Sequence, residues 1–125
     1  MVSGQRREVL VADIVAGHYQ IISGVSKDLG GGDEGPDPHS LLEAALTACT
    51  VITAQMYALR KGMKLESTDV IVKILSEGAE TRIGREVSFR GELTAEEKIR
   101  LTEIVNKCPI HKLLESHVKI ETTVQ

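Results

Sequence analysis

The sequence predicts an α+β fold with the element order β-β-α-β-β-α-α-β over a single domain, residues 1–125. Three observations carry that expectation. A long apolar segment from Pro38 to Lys61 is bracketed by helix start and stop signals. Several short segments alternate apolar and polar residues with the period of a strand. A second capping signal at Thr94 opens an amphipathic helix.

In chain order, Glu8 to Ile14 is rich in β-branched and apolar residues and reads as a strand. Ala16-Gly17 turns the chain, and His18 to Val25 reads as the hairpin partner. Lys27 to Asp37 holds Gly30, Gly31, Gly32 and Gly35 with Pro36, so a loop is expected. No Gly-Lys-Ser/Thr follows it, so it is not a phosphate cradle.

The central helix follows. Asp37 suits the N-cap, where a carboxylate accepts from free backbone N–H groups, and Pro38 suits the first helical position. Ser40 with Glu43 forms an alternative start. Arg60 and Lys61 complement the negative end of the helix, and Gly62 suits the left-handed residue beyond it. Between these ends nearly every side chain is apolar or small, so the helix belongs in a core or an interface. Asp69 to Ser76 is then an almost unbroken apolar run, expected as a central strand. Arg85 to Leu93 alternates, with Val87, Phe89 and Leu93 facing inward. Thr94-Ala95-Glu96-Glu97 is a capping box, and Leu101, Ile104, Val105 and Cys108 form the apolar stripe of the helix it opens. Pro109 ends that helix and begins a short one through Glu115. His117 to Val124 reads as a last strand with Val118, Ile120 and Val124 on its buried side.

Bulk composition narrows the function classes. At 125 residues the chain can build a real core, although with 2 Tyr, 1 Phe and no Trp that core must come from Ile, Val, Leu and Ala. The net charge of −3 comes without a basic stripe, which argues against nucleic acid as a partner. Charges, Thr and Gln interrupt the long helix before the ~18 apolar residues of a membrane span, so no membrane partner is expected. Met1 to Arg7 lacks the apolar centre of a signal peptide, so a cytoplasmic location is expected. Two cysteines in that setting point to reactive thiols, metal ligands or buried fillers rather than a permanent staple.

Four residues can carry chemistry: His39, Cys49, Cys108 and His111. Both cysteines lie on apolar helix faces, where a free thiol also serves as a small hydrophobe. In Cys108-Pro109-Ile110-His111 the thiol stands just before a helix, whose unpaired N–H groups favour a thiolate, and His111 adds a proton acceptor or a charge one turn in. His39 lies ~15 Å from Cys49 along one continuous helix, so it can approach that thiol only across a symmetric dimer. A Cys₂His₂ zinc site formed from Cys49, Cys108, His39 and His111 is an alternative, although no short metal-ligand spacing is present.

Gly35-Pro36-Asp37-Pro38-His39-Ser40-Leu41-Leu42, followed by Ala44-Ala45-Leu46-Thr47-Ala48-Cys49-Thr50, resembles the signature of the OsmC/Ohr family, the osmotically inducible and organic hydroperoxide resistance proteins. Cys108-Pro109-Ile110-His111 resembles the family's second cysteine motif. The resemblance implies an intertwined homodimer, with two central helices at its heart and curved antiparallel sheets outside. It implies a thiol-dependent peroxidase of oxidative-stress defence, without a cofactor, that uses a small hydroperoxide and an external dithiol reductant. By carry-over Cys49 matches the attacking cysteine and Cys108 the resolving one. His39 stands where hydroperoxide-resistance members have Glu, and their early-strand Arg falls near Arg7, with Arg6 beside it. The chemistry is consistent: a thiolate attacks peroxide to give a sulfenic acid, a second thiol condenses with it, and a dithiol restores both. Leu42, Ala45, Ile52 and Met56 would supply apolar walls. A third reading keeps the fold without the peroxidase, as a binding or scaffold domain for a small apolar ligand at the dimer seam.

Overall fold

The computed structural model describes all 125 residues. The chain divides into two compact units, Met1–Leu42 and Glu43–Gln125.

The first unit is a three-stranded antiparallel sheet in the order β1-β2-β3, formed by β1 (Val2–Glu8), β2 (Val11–Ala16) and β3 (Tyr19–Ser23). β1 was not expected, because Ser3, Gly4, Gln5, Arg6 and Arg7 carry no apolar alternation, and every residue of the strand is exposed. Its backbone ladder with β2, from Val2 opposite Ala16 to Glu8 opposite Val11, holds it instead. The single strand expected over Glu8–Ile14 is in fact two strands joined by a tight turn at Val9 and Leu10. Val9 adopts a φ of 27°, a left-handed conformation unusual for a β-branched residue, and so breaks the apolar run into two strands. Gly17, at φ 62°, turns β2 into β3. The glycine-rich segment that follows holds one short 3₁₀ turn, Lys27–Leu29, and the Ser23 hydroxyl donates to the Pro36 carbonyl at 2.8 Å.

Helix α1 (Pro38–Lys61) starts and stops where the sequence signals place it. The Ser40 amide donates to the Asp37 carboxylate at 2.8 Å, and the Leu41 amide donates to the Asp37 carbonyl. Gly62 takes φ 69° beyond the last turn. Of the two possible starts, the chain uses Asp37. The Glu43 carboxylate instead accepts the Ile74 amide at 2.8 Å and ties the helix to β4.

β4 (Lys64–Ser76) and β5 (Arg82–Glu92) form a two-stranded antiparallel sheet. β4 was expected as a central strand, but β5 is its only neighbour, and Ile71 and Leu75 are exposed. α2 (Ala95–Val105) opens with the expected box: the Glu97 amide donates to Thr94 Oγ1 and the Thr94 amide donates to the Glu97 carboxylate. The core of this unit joins Ala54, Tyr57 and Ala58 of α1 to Leu65 of β4 and to Leu101 and Val105 of α2. α3 (Pro109–Glu115) follows. The strand expected at His117–Val124 does not form. An alternating pattern becomes a strand only where a sheet edge receives it, and Val118, Ile120 and Val124 are all exposed. The observed order is therefore β-β-β-α-β-β-α-α.

One face of α1 enters the core through Leu46, Thr50, Ala54, Tyr57 and Ala58. Another face leaves Ile52, Met56 and Leu59 bare, at 57%, 62% and 73% of full exposure. α1 has 24 residues and contains an 18-residue stretch with a mean hydropathy of 1.3, so by length and composition it could cross a membrane, contrary to the expectation drawn from its Thr and Gln. A helix built into a protein core passes the same test, and α1 has such a face.

Candidate active site

α3 begins at an unusual cap. Cys108 is its N-cap residue and Pro109 its first helical residue, which has no N–H to satisfy. That leaves the Ile110 and His111 amides of the opening turn without carbonyl partners, while Lys112 makes the first bond within the helix. Lys112 donates to the Cys108 carbonyl at 3.1 Å. His111 donates to Cys108 Sγ at 3.4 Å, and Ile110 donates to Cys49 Sγ at 3.5 Å. Two cysteines far apart in sequence thus share one turn of backbone, their sulfurs held by consecutive amides. Both are free thiols.

Their surroundings differ. Cys108 is fully buried, whereas Cys49 is half-buried and its Sγ lies 3.8 Å from Thr53 Oγ1. Arg85 of β5 reaches the Cys108 side. Its inward direction follows from the two-residue period that also turns Val87 and Phe89 inward. Its Nη1 donates to Thr50 Oγ1 at 3.1 Å and to Cys108 Sγ at 3.9 Å. Its Nη2 donates to Asn106 Oδ1 at 3.0 Å and to His111 Nδ1 at 2.8 Å. Guanidinium has no acceptor, so His111 Nδ1 must accept, and the ring proton is assigned to Nε2. That nitrogen lies 2.8 Å from Glu115 Oε1 and donates to it. Fully buried Thr50 donates its own proton to the Leu46 carbonyl at 2.7 Å and so offers Arg85 a lone pair.

A cavity of about 470 Å³ adjoins this network. Ile83, Val87, Phe89 and Leu114 give it apolar walls, and Arg85, Asn106 and His111 stand at its polar side. The walls proposed from sequence lie elsewhere: Leu42, Ala45, Ile52 and Met56 are all exposed, and the last two line a separate groove with Leu59.

Cys49, Cys108 and His111 are therefore brought together. His39 is exposed in the first turn of α1, and Arg7 is exposed on β1, where the register shifts between Arg6 and Glu8. Sequence reasoning missed Arg85, Thr50 and Asn106. For Arg85 the signal was present, since the alternation of β5 puts position 85 on the same face as Val87. Among His, Cys, Asp and Glu no group of three is placed to hold a metal ion, so the zinc alternative has no ligand set in this chain.

No curated protein matches the sequence. Among solved structures, an OsmC-like protein from Mycoplasma pneumoniae superposes with a TM-score of 0.75 at 18% identity, over 94% of this chain and 87% of that one. An organic hydroperoxide resistance protein OsmC from Legionella pneumophila gives 0.66 at 17% identity, over 92% and 88%. An organic hydroperoxide resistance protein from Elizabethkingia anophelis gives 0.65 at 19% identity, over 93% and 87%. These likenesses establish the α+β fold they share. The OsmC-like protein family model matches residues 30–123, a span that contains both cysteine motifs and Arg85, and the chain accordingly belongs to the OsmC-like protein family.

Proposed function

We propose that the protein is a thiol-dependent peroxidase that reduces organic hydroperoxides in oxidative-stress defence. Family membership and the hydroperoxide-resistance descriptions of similar structures support a peroxide-detoxifying redox role. The observation that carries the mechanism is the pairing of two free thiols on consecutive amides of α3, one half-buried and the other sealed.

Accessibility assigns the order. A peroxide can approach half-buried Cys49 but not Cys108, which has no exposed surface. The Cys49 thiolate attacks the terminal peroxide oxygen, the O–O bond breaks, and an alcohol leaves after protonation. Cys49 becomes a sulfenic acid. Cys108 then attacks that sulfur, a disulfide forms and water departs. An external dithiol returns both thiols. The cavity beside Arg85 and His111 has apolar walls that suit an organic substituent better than hydrogen peroxide. Purified protein given cumene hydroperoxide and dithiothreitol should consume peroxide over many turnovers, faster than it consumes hydrogen peroxide. Consumption no faster than dithiothreitol alone would refute the reading and leave a binding domain for a small apolar ligand, which the same cavity could hold.

The active assembly is a homodimer. Ile52, Met56 and Leu59 on α1 and Ile71 and Leu75 on β4 expose an apolar surface that a second copy would cover, as the resemblance implies. His39 would reach a thiol only in that assembly. Sedimentation should show a dimer at micromolar concentration, and a folded monomer there would count against it.

A further inference from the structure

We infer that Arg85 is a positioning residue for Cys108, governing how the Cys49–Cys108 disulfide closes and reopens rather than how Cys49 meets peroxide. The inference rests on the peroxidase reading only for the source of the sulfenic acid.

Arg85 offers five N–H donors, and four are spent on protein acceptors: Thr50, Cys108, Asn106 and His111. A guanidinium so committed is not built as a two-pronged clamp for a ligand carboxylate, since only the Nε donor is left. None of its four partners is a carboxylate. The His111 side chain sends its own proton to Glu115, so it presents Arg85 with a neutral lone pair. A half-buried cation surrounded by neutral acceptors lacks a counter-anion, and the one partner that can become an anion is Cys108. Conversely, a thiolate at Cys108 would be fully buried, and the His111 amide and the Arg85 Nη1 group are the donors that face it. Arg85 makes no hydrogen bond to Cys49, whose polar neighbours are the Ile110 amide and Thr53.

Cys108 carries negative charge at two points of the cycle. In closure its thiolate attacks the Cys49 sulfenic sulfur. The S–S bond forms, the S–O bond breaks, and hydroxide leaves and takes a proton to become water. In reopening, a thiolate of the external dithiol attacks half-buried Cys49, the Cys49–Cys108 bond breaks, and Cys108 departs as thiolate. The second dithiol sulfur then releases Cys49, and the dithiol ends as a disulfide. The sum is hydroperoxide plus dithiol giving alcohol, water and a disulfide. A stabilised thiolate leaves faster but attacks less eagerly, so reopening feels Arg85 more than closure does.

The test separates these steps. Native protein, Arg85→Gln and Arg85→Lys are oxidised to the intramolecular disulfide with diamide, which needs no peroxidase activity, and then reduced with dithiothreitol. Closure is followed separately after one equivalent of cumene hydroperoxide. Arg85→Gln should reopen about tenfold or more slowly, the loss expected when a hydrogen bond to a charged group is removed, and should close more slowly by a smaller factor. Arg85→Lys, which keeps the charge, should recover a large part of both rates. In a Cys108→Ser background, sulfenic acid formation at Cys49 is followed with and without Arg85→Gln, and reopening should fall by a larger factor than that first step. Native-like closure and reopening in Arg85→Gln would overturn the inference, as would a first step slowed as much as reopening or failure of diamide to form the disulfide. Should Arg85→Gln not fold, Arg85→Lys decides on the same two rates. Failure of the native protein to consume peroxide, with reopening still slowed in Arg85→Gln, would sink the peroxidase reading and leave this one standing.

Discussion

Cys49 and Cys108 receive hydrogen bonds from neighbouring amides of one helical turn, yet their surroundings differ in access and in charged neighbours. Cys49 sits mid-helix on α1, half-open, with Thr53 as its other polar neighbour. Cys108 is sealed and faces a guanidinium. Access lies with one sulfur and the guanidinium with the other. Placing an arginine beside a thiol therefore does not by itself identify the thiol that meets substrate; in the mechanism proposed above, the buried thiol with no path to the peroxide serves as resolver and leaving group.

The largest expected effect breaks this comparison outright. Cys49→Ser should abolish peroxide consumption, whereas Cys108→Ser should consume one equivalent and then stall as a sulfenic acid that over-oxidises to the sulfinic form. Mass spectrometry after peroxide treatment distinguishes them. If Cys108→Ser stays reduced while Cys49→Ser oxidises, charge stabilisation outweighs access and the roles exchange.

A smaller effect is expected at the histidines. His111→Ala removes an acceptor from Arg85 and frees Glu115, so steady-state turnover should fall by about the 10²-fold at the lower end of general acid–base effects. His39→Ala should slow turnover only if a second copy carries His39 to the site. An unchanged rate removes His39 from the mechanism.

The smallest effects sharpen the contrast through the helices that carry the two sulfurs. α1 is capped by the Asp37 carboxylate, which the Ser40 backbone N–H holds below its ordinary value of 3.8. A depressed folded value means the cap stabilises the fold above the ordinary Asp range and loses that stabilisation as pH falls through the lowered value. Asp37→Asn should therefore differ from native protein at neutral pH and converge with it in acid unfolding. In the capping box of α2, the helix that leads to Cys108, the Glu97 amide is held by the Thr94 hydroxyl, which does not titrate in that range. Thr94→Ala should cost ~1 kcal/mol in urea melts, with no such acid convergence.

Much of this molecule is local and could be read from the chain. Asp37, Pro38 and Gly62 mark the ends of α1, and Thr94 with Glu97 marks the start of α2, because capping is decided by side chains within a few residues of the amide they serve. Cys108 before Pro109 likewise announces a thiol at a helix start. Pairing is not local. β1 is held by its ladder to β2 despite a polar sequence, and His117–Val124 alternates well yet meets no edge. The site divides the same way. Cys49, Cys108 and His111 were legible as reactive types in motifs, but their meeting depends on α1 and α3 packing against one another. Arg85 was visible only as an inward position on β5. Its partners, Thr50, Cys108, Asn106 and His111, come from α1, the α2–α3 connection and α3, so no spacing along the chain could disclose them. Sequence determined where each element starts and which side chains can do chemistry, since those are short-range properties. Tertiary structure decided which thiol is open and which faces the guanidinium, since burial and hydrogen-bond geometry exist only once distant segments pack.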